Sequence, residues 1–195
     1  MKIASTHKPT PDELRAAANG KMPDIVAPGL NVIFCGINPS VYSVVVGHHF
    51  ARPGNRFWKA LHAGGFTNRL LLPSQDGELL SFGCGITNVV ERATVGAAEL
   101  SRAELTEGGL KLQAQIRHFA PRWLAVLGIG AYRTAFDEPK AVLGLQARTI
   151  RPTRLWVLPN PSGLNAHYQP ADLARLFQEL HQAIADNNLP RDASH

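Results

Sequence analysis

The chain has 195 residues, 45% of them hydrophobic, which is enough to bury one full core and makes a single domain the default. With 20 Lys and Arg against 15 Asp and Glu it carries +5 at pH 7, a lean toward polyanions that an ordinary basic surface explains equally well. The opening stretch MKIASTHKPTPDELRAAANGK lacks a secretory apolar core and no apolar run nears the ~20 residues of a membrane helix, so a soluble cytoplasmic protein without a membrane partner is expected.

In chain order, residues 1–22 read as a polar N-terminal extension that includes a short helix at 11–18. Residues 23–187 read as one domain, and 188–195 as a polar tail. Strand-like runs fall at 31–35, 84–89, 123–127 and 154–158. They are continuously apolar rather than alternating, the mark of a parallel sheet covered on both faces. Helical patterns occupy 55–63, 74–81, 101–119, 131–136 and 170–187. Ser101 with Glu104 forms a capping box, and Pro170 opens the last helix. The alternation predicts a three-layer α/β/α sandwich around a short, mostly parallel central sheet. Cys35 and Cys84 lie inside apolar runs and read as small buried hydrophobes, with neither a disulfide framework nor zinc spacing.

Ligands of such sheets bind beyond the carboxyl ends of the strands. The segments there are GINPS, TNVVERAT, GIGAY and PNPSGLN, expected to meet in one cleft. GIGAY lacks the third Gly and the later acidic residue of a dinucleotide loop, so it reads as a tight turn into a helix. Ser162, His167 and Asp172 contain the residue types of a hydrolase triad, but no GxSxG elbow surrounds Ser162. His48 and His49 have no third ligand at suitable spacing and read as surface or rim residues; no metal is expected. Asn38, taken alone, is as compatible with an Asx turn or helix cap as with a functional amide.

The segments VIFCGINPS, FARPGNRFWKAL, CGITNVVER, GGLKL and RLWVLPNPSGL follow one another between about residues 25 and 185. In that order they resemble the mismatch-specific uracil/thymine DNA glycosylases, a branch of the uracil-DNA glycosylase superfamily. The resemblance implies a cofactor-free, metal-free monofunctional enzyme acting as a monomer on double-stranded DNA with G·U or related mismatches. It would flip the uracil, or a related damaged pyrimidine, hydrolyse its N-glycosidic bond and leave an abasic site.

By the match, Asn38 positions the attacking water and Phe50 stacks on the flipped base. Backbone groups around Ile37, together with Ser43, read the base, and Asn160 stands where uracil-only enzymes place a His. Gly163, Leu164 and Asn165 form the wedge that fills the vacated stack, with polar groups of Gly163 and Asn165 pairing with the widowed guanine. Arg52, Arg56, Lys59 and Arg92 lie close to the cleft segments and are the expected phosphate contacts. Glu91 is the carboxylate expected nearest the cleft, a possible secondary catalytic group. Phe57 and Trp58 are assigned to the core. No lysine is expected to form a Schiff base, hence no strand-cleaving activity. Ser40, Ala93 and Ala166 depart from the family pattern, Ala93 by leaving the turn after the second strand without a polar group. A mismatch- or abasic-site-binding protein with little turnover is the alternative, and a small-molecule hydrolase using Ser162 ranks last.

Overall fold

The computed structural model describes residues 8–187, so the expected tail at 188–195 and the first seven residues lie outside it. Five strands form one sheet in the order β2-β1-β3-β5-β4: β1 Val32–Gly36, β2 Cys84–Asn88, β3 Trp123–Leu127, β4 Gly144–Ile150 and β5 Thr153–Leu158. The pairs β1–β2, β1–β3 and β3–β5 are parallel, and β4 runs antiparallel on the edge. The six helices are α1 Pro11–Ala16, α2 Val41–Val46, α3 Phe57–Ala63, α4 Arg102–Phe119, α5 Ile129–Ala135 and α6 Pro170–Asp186. None is long and apolar enough to cross a membrane.

Successive strand residues point to opposite faces, so each apolar strand feeds two cores. Phe34, Ile86, Ala125 and Leu158 pack with α3 and α6 through Phe57, Leu61, Phe177 and Leu180. Ile33, Leu124, Val126 and Val157 pack with α4 and α5 through Leu112, Ile116 and Tyr132. Phe57 and Trp58 lie in the first core, as expected, and both cysteines are buried. Burial pushes the Cys84 thiol up to about 12 and raises that of Cys35 as well, so neither is a ready nucleophile.

The GG of GGLKL lies inside α4 and records tight packing. A Cβ on Gly108 would sit 2.2 Å from the Val89 carbonyl oxygen, and one on Gly109 2.0 Å from that of Ala135. The predicted capping box is present: the Ser101 hydroxyl accepts from Glu104 N–H, and Glu104 reaches back to Ser101 N–H at 2.9 Å.

Two elements depart from the sequence reading. Val41–Val46 carries no predicted element, since its β-branched composition argues against a helix; Ser40 caps it at one end and Gly47, in the left-handed region, ends it. Strand β4 alternates partly buried and exposed side chains at the sheet edge, unlike the continuous apolar runs of the other strands. Residues 8–25 are tied to the domain, with Ala93 exchanging backbone hydrogen bonds with Asn19 and Gly20, and Ile25 bridging to Ile86. The segment at 74–81 is a 3₁₀ stretch, Pro73–Phe82.

Candidate active site

The carboxyl ends of β1, β2, β3 and β5 open into one cleft of about 420 Å³, within the range of small-ligand sites. GIGAY contributes packing rather than lining: Gly128, at φ +136, lies against the side chains of Ile37 and Asn160, and only Leu127 of that strand end reaches the cleft.

Asn38 sits at the cleft floor. Its Nδ2 donates to the Arg92 carbonyl at 3.0 Å and to Thr94 Oγ1 at 2.8 Å. A carbonyl only accepts, so the nitrogen must face Arg92 and Oδ1 is left as an acceptor. Thr94 Oγ1 in turn donates to the Gly96 carbonyl at 2.9 Å, which aims its lone pairs back at Asn38. Thr94 reaches this position because its backbone pairs with Pro39 and Val41, which ties the segment after β2 to the GINPS turn. The polar group at the turn after β2 is therefore Thr94, and Ala93 is buried beside it. Thr94 ends the ERAT stretch after β2, and it is the bridge between Ser40 and Thr94 that brings its hydroxyl to Asn38.

Phe50 forms one wall. It takes a left-handed conformation, φ +52, uncommon for a non-glycine residue. The neighbouring turn is over-determined. His49 N–H donates to Asp76 Oδ2 at 3.0 Å, its ring Nε2 lies 2.9 Å from the Pro23 carbonyl, and Trp58 Nε1 donates to the His49 carbonyl at 3.1 Å. The Phe50 ring stacks on Phe57, with centroids 4.1 Å apart, and its edge lies where a Cβ on Gly36 would approach within 3.3 Å. The tighter constraint there is Asn88, whose Oδ1 would lie 2.5 Å from that Cβ, so Gly36 makes room for the Asn88 amide and for the ring beside it. His49, expected at the surface or rim, is only 3% exposed and takes part in this scaffold.

Ser43 lies on the cleft wall, 3% exposed, accepting from Ala51 N–H at 3.2 Å and pairing with Ser40 Oγ at 3.1 Å. Ser40, a departure from the family pattern, thus caps α2 and supports Ser43. The Ile37 carbonyl already accepts from Val90 N–H at 2.9 Å. At the end of β5, Asn160 Oδ1 accepts from Ser162 N–H at 3.0 Å, which leaves its Nδ2 as the donor it offers the cleft. The cleft also holds Asn88, the last residue of β2, which the sequence reading did not single out.

The 162–165 turn stands at the rim with Leu164 74% exposed. Asn165 bonds within the turn: N–H to the Ser162 carbonyl, Nδ2 to the Asn160 carbonyl, Oδ1 from His167 N–H. The turn thus holds the amide in place and leaves its second Nδ2 hydrogen as the donor it can still offer. No hydrogen bond joins Ser162, His167 and Asp172 among the described residues, and Asp172 instead accepts from Gln169 N–H at the start of α6.

Three charged residues are spent elsewhere. Glu91 pairs with exposed Lys21 at 2.6 Å in a separate surface groove and does not line the cleft; Lys21 holds its carboxyl below the ordinary range. Arg92 pairs with Glu104 at 2.5 Å, and that guanidinium, with Ser101 at the helix cap, lowers the Glu104 carboxyl to about 2. Arg56 donates to three backbone carbonyls rather than facing solvent. Arg52 lies at the cleft mouth, 3.4 Å from the Val95 carbonyl, and Lys59 is exposed on α3. Of the four expected phosphate contacts, Arg52 and Lys59 keep a cationic group accessible. Neither Lys59 nor Lys111, the lysines of the matched segments, lines the cleft. Among the described residues no group of three or more His, Cys, Asp or Glu is placed to hold a metal ion.

In architecture the chain is similar to the solution structure of a candidate uracil DNA glycosylase from Methanosarcina acetivorans. The TM-score is 0.55 at 16% identity, covering 84% of this chain and 98% of that one. That likeness defines the class of fold. The family model described as the uracil DNA glycosylase superfamily matches residues 23–181, and the chain belongs to that superfamily. It is accordingly a DNA glycosylase, a hydrolase whose partner is DNA.

Proposed function

We propose that the chain is a monofunctional, mismatch-directed uracil-DNA glycosylase that acts as a monomer on duplex DNA. The observation that carries this reading is the fixed orientation of two amides in one cleft: Asn38 offers an acceptor and Asn160 a donor. Hydrolysis of an N-glycosidic bond needs both. A water must be held at the sugar carbon, and negative charge grows on the departing base.

The flipped uracil stacks on Phe50, whose other contacts fix the ring before the base arrives. Asn160 Nδ2 and the Ser43 hydroxyl meet its carbonyl oxygens, and Asn88 offers a further amide to the base edge. Asn38 Oδ1 accepts a hydrogen bond from the water. An amide is no useful base at neutral pH, so positioning and leaving-group electrostatics carry the rate, and the water's proton leaves to solvent after the bond has largely broken. Among the described residues no lysine lines the cleft to form an imine with the sugar, so the strand stays intact until alkali cuts it.

Leu164 fills the gap in the stack. The Gly163 carbonyl, beside Leu164 in the same turn, is assigned as the acceptor for the widowed base. A carbonyl suits guanine, whose pairing edge carries N–H donors at N1 and N2, better than adenine, which presents an acceptor at N1. Extrusion is also cheapest from a weak pair.

Single-turnover reactions on matched duplexes test this. Uracil opposite guanine should be converted to an alkali-labile site at least about tenfold faster than uracil opposite adenine, a difference of about 1.4 kcal/mol in barrier. Equal rates would remove the mismatch assignment. Tight binding of the G·U duplex with no alkali-labile product would favour a lesion-binding protein instead.

A further inference from the structure

The side chain of Arg56 joins the start of α3 to the rim turn. Nη1 donates to the Tyr168 carbonyl at 2.5 Å, and Nη2 to those of Ser162 at 2.6 Å and Asn165 at 2.8 Å. Its backbone N–H donates to the Pro161 carbonyl at 3.0 Å. All four partners are main-chain carbonyls of one segment, 161–168, more than a hundred residues away in sequence. Nε is buried without a partner, so the head group's depth is dictated by the carbonyls it reaches and not by its own complete satisfaction. The same two segments touch again next door, where a Cβ on Gly163 would lie 2.6 Å from the Gly54 carbonyl oxygen.

Leu164 itself has little to hold it, being 74% exposed. Its position must come from the backbone beneath it. Charge-assisted bonds are about twice as strong as neutral ones, and a planar fork carries its donors on separate nitrogens, so it reaches carbonyls spread more widely than the single nitrogen of an ammonium can. A turn ordered before binding spares the association the entropy of ordering it. We propose that Arg56 is the positioning residue of the wedge: its guanidinium pre-forms the 162–168 turn so that Leu164 is presented to the duplex in a fixed place. This rests on the wedge reading above and reassigns Arg56 from phosphate contact to internal brace.

The test combines Arg56→Met, which keeps the apolar stem and removes the donors, with Arg56→Lys and Leu164→Ala, alone and paired. In the free protein, amide hydrogen exchange across 162–168 should accelerate at least about tenfold in Arg56→Met, and less in Arg56→Lys. Uracil release from a G·U duplex under single turnover should fall at least about tenfold in Arg56→Met, as misplacement of a binding element predicts. In the Leu164→Ala background the same substitution should cost less than about threefold, because both act through one element. Unchanged loop exchange, or rate penalties that multiply in full, would overturn the assignment. Should Arg56→Met not fold, Arg56→Lys carries the same two readouts. If the wild-type protein releases no uracil, the glycosylase reading fails by itself, while loop exchange still decides the role of Arg56.

Discussion

Replacing Asn38 by alanine is expected to lower the single-turnover rate of uracil release by about a hundredfold or more, the scale on which a misplaced reactant loses its advantage. The effect on folding should be small. Asn38 makes two part-buried hydrogen bonds, to Arg92 and Thr94, each worth about 1 kcal/mol net. Thermal unfolding monitored beside the rate separates the two. Substitution by aspartate is the more discriminating change. The Arg92 carbonyl demands a donor at 3.0 Å, which an ionised carboxylate lacks. The new carboxyl is therefore held toward its protonated form, and the rate of Asn38→Asp should climb as pH rises through a raised pKa. The wild-type amide does not titrate and gives no such limb. A wild-type rate unaffected by Asn38→Ala would place the water elsewhere in the cleft.

Loss of the Phe50 ring is the second large effect. Base–aromatic stacking is worth ~1–3 kcal/mol, so Phe50→Ala should reduce capture of the flipped base by roughly five- to 150-fold. Phe50 also covers Phe57, which is fully buried, and alanine would open that packing. Phe50→Leu separates the roles: it keeps much of the apolar volume, costs less stability than alanine does, and still lacks the flat face. Titrating G·U duplex under single-turnover conditions should show most of the Phe50→Leu deficit in half-saturation. A deficit confined to thermal stability would make Phe50 a core residue only.

The parts of this molecule that were legible in the sequence are those where local and global signals agree. Continuous apolar runs placed β1, β2, β3 and β5 within a residue or two, because a strand buried on both faces has no polar period to confuse. Ser101 and Glu104 announced α4. Strand β4 was not legible, since an edge strand with half-exposed side chains resembles a loop. Helix α2 was hidden by valines that favour strands; its caps and its packing against α1 override that preference. In the cleft, the strand-end rule brought Asn38 and Asn160 together, and the family resemblance added Phe50. The rule failed for Glu91 because nearness in sequence does not fix a side chain's direction. Residues 91 and 92 turn to Lys21 and Glu104, and the hydroxyl that orients Asn38 comes from Thr94. Arg56 misled for a related reason: an arginine beside a cleft reads as a phosphate contact until the carbonyls of a distant segment are seen to surround it.

Direct measurement of free uracil tests the central claim, that this cleft hydrolyses a base from mismatched DNA with an amide in place of a carboxylate. Excess protein is incubated with a G·U duplex labelled in the uracil and on the strand, and the released base and strand integrity are followed together, with Asn38→Ala in parallel. The account predicts free uracil from the wild-type protein, a strand cut only after alkali, and release slowed by about a hundredfold or more in the variant. A duplex that is bound but retains its uracil would contradict it.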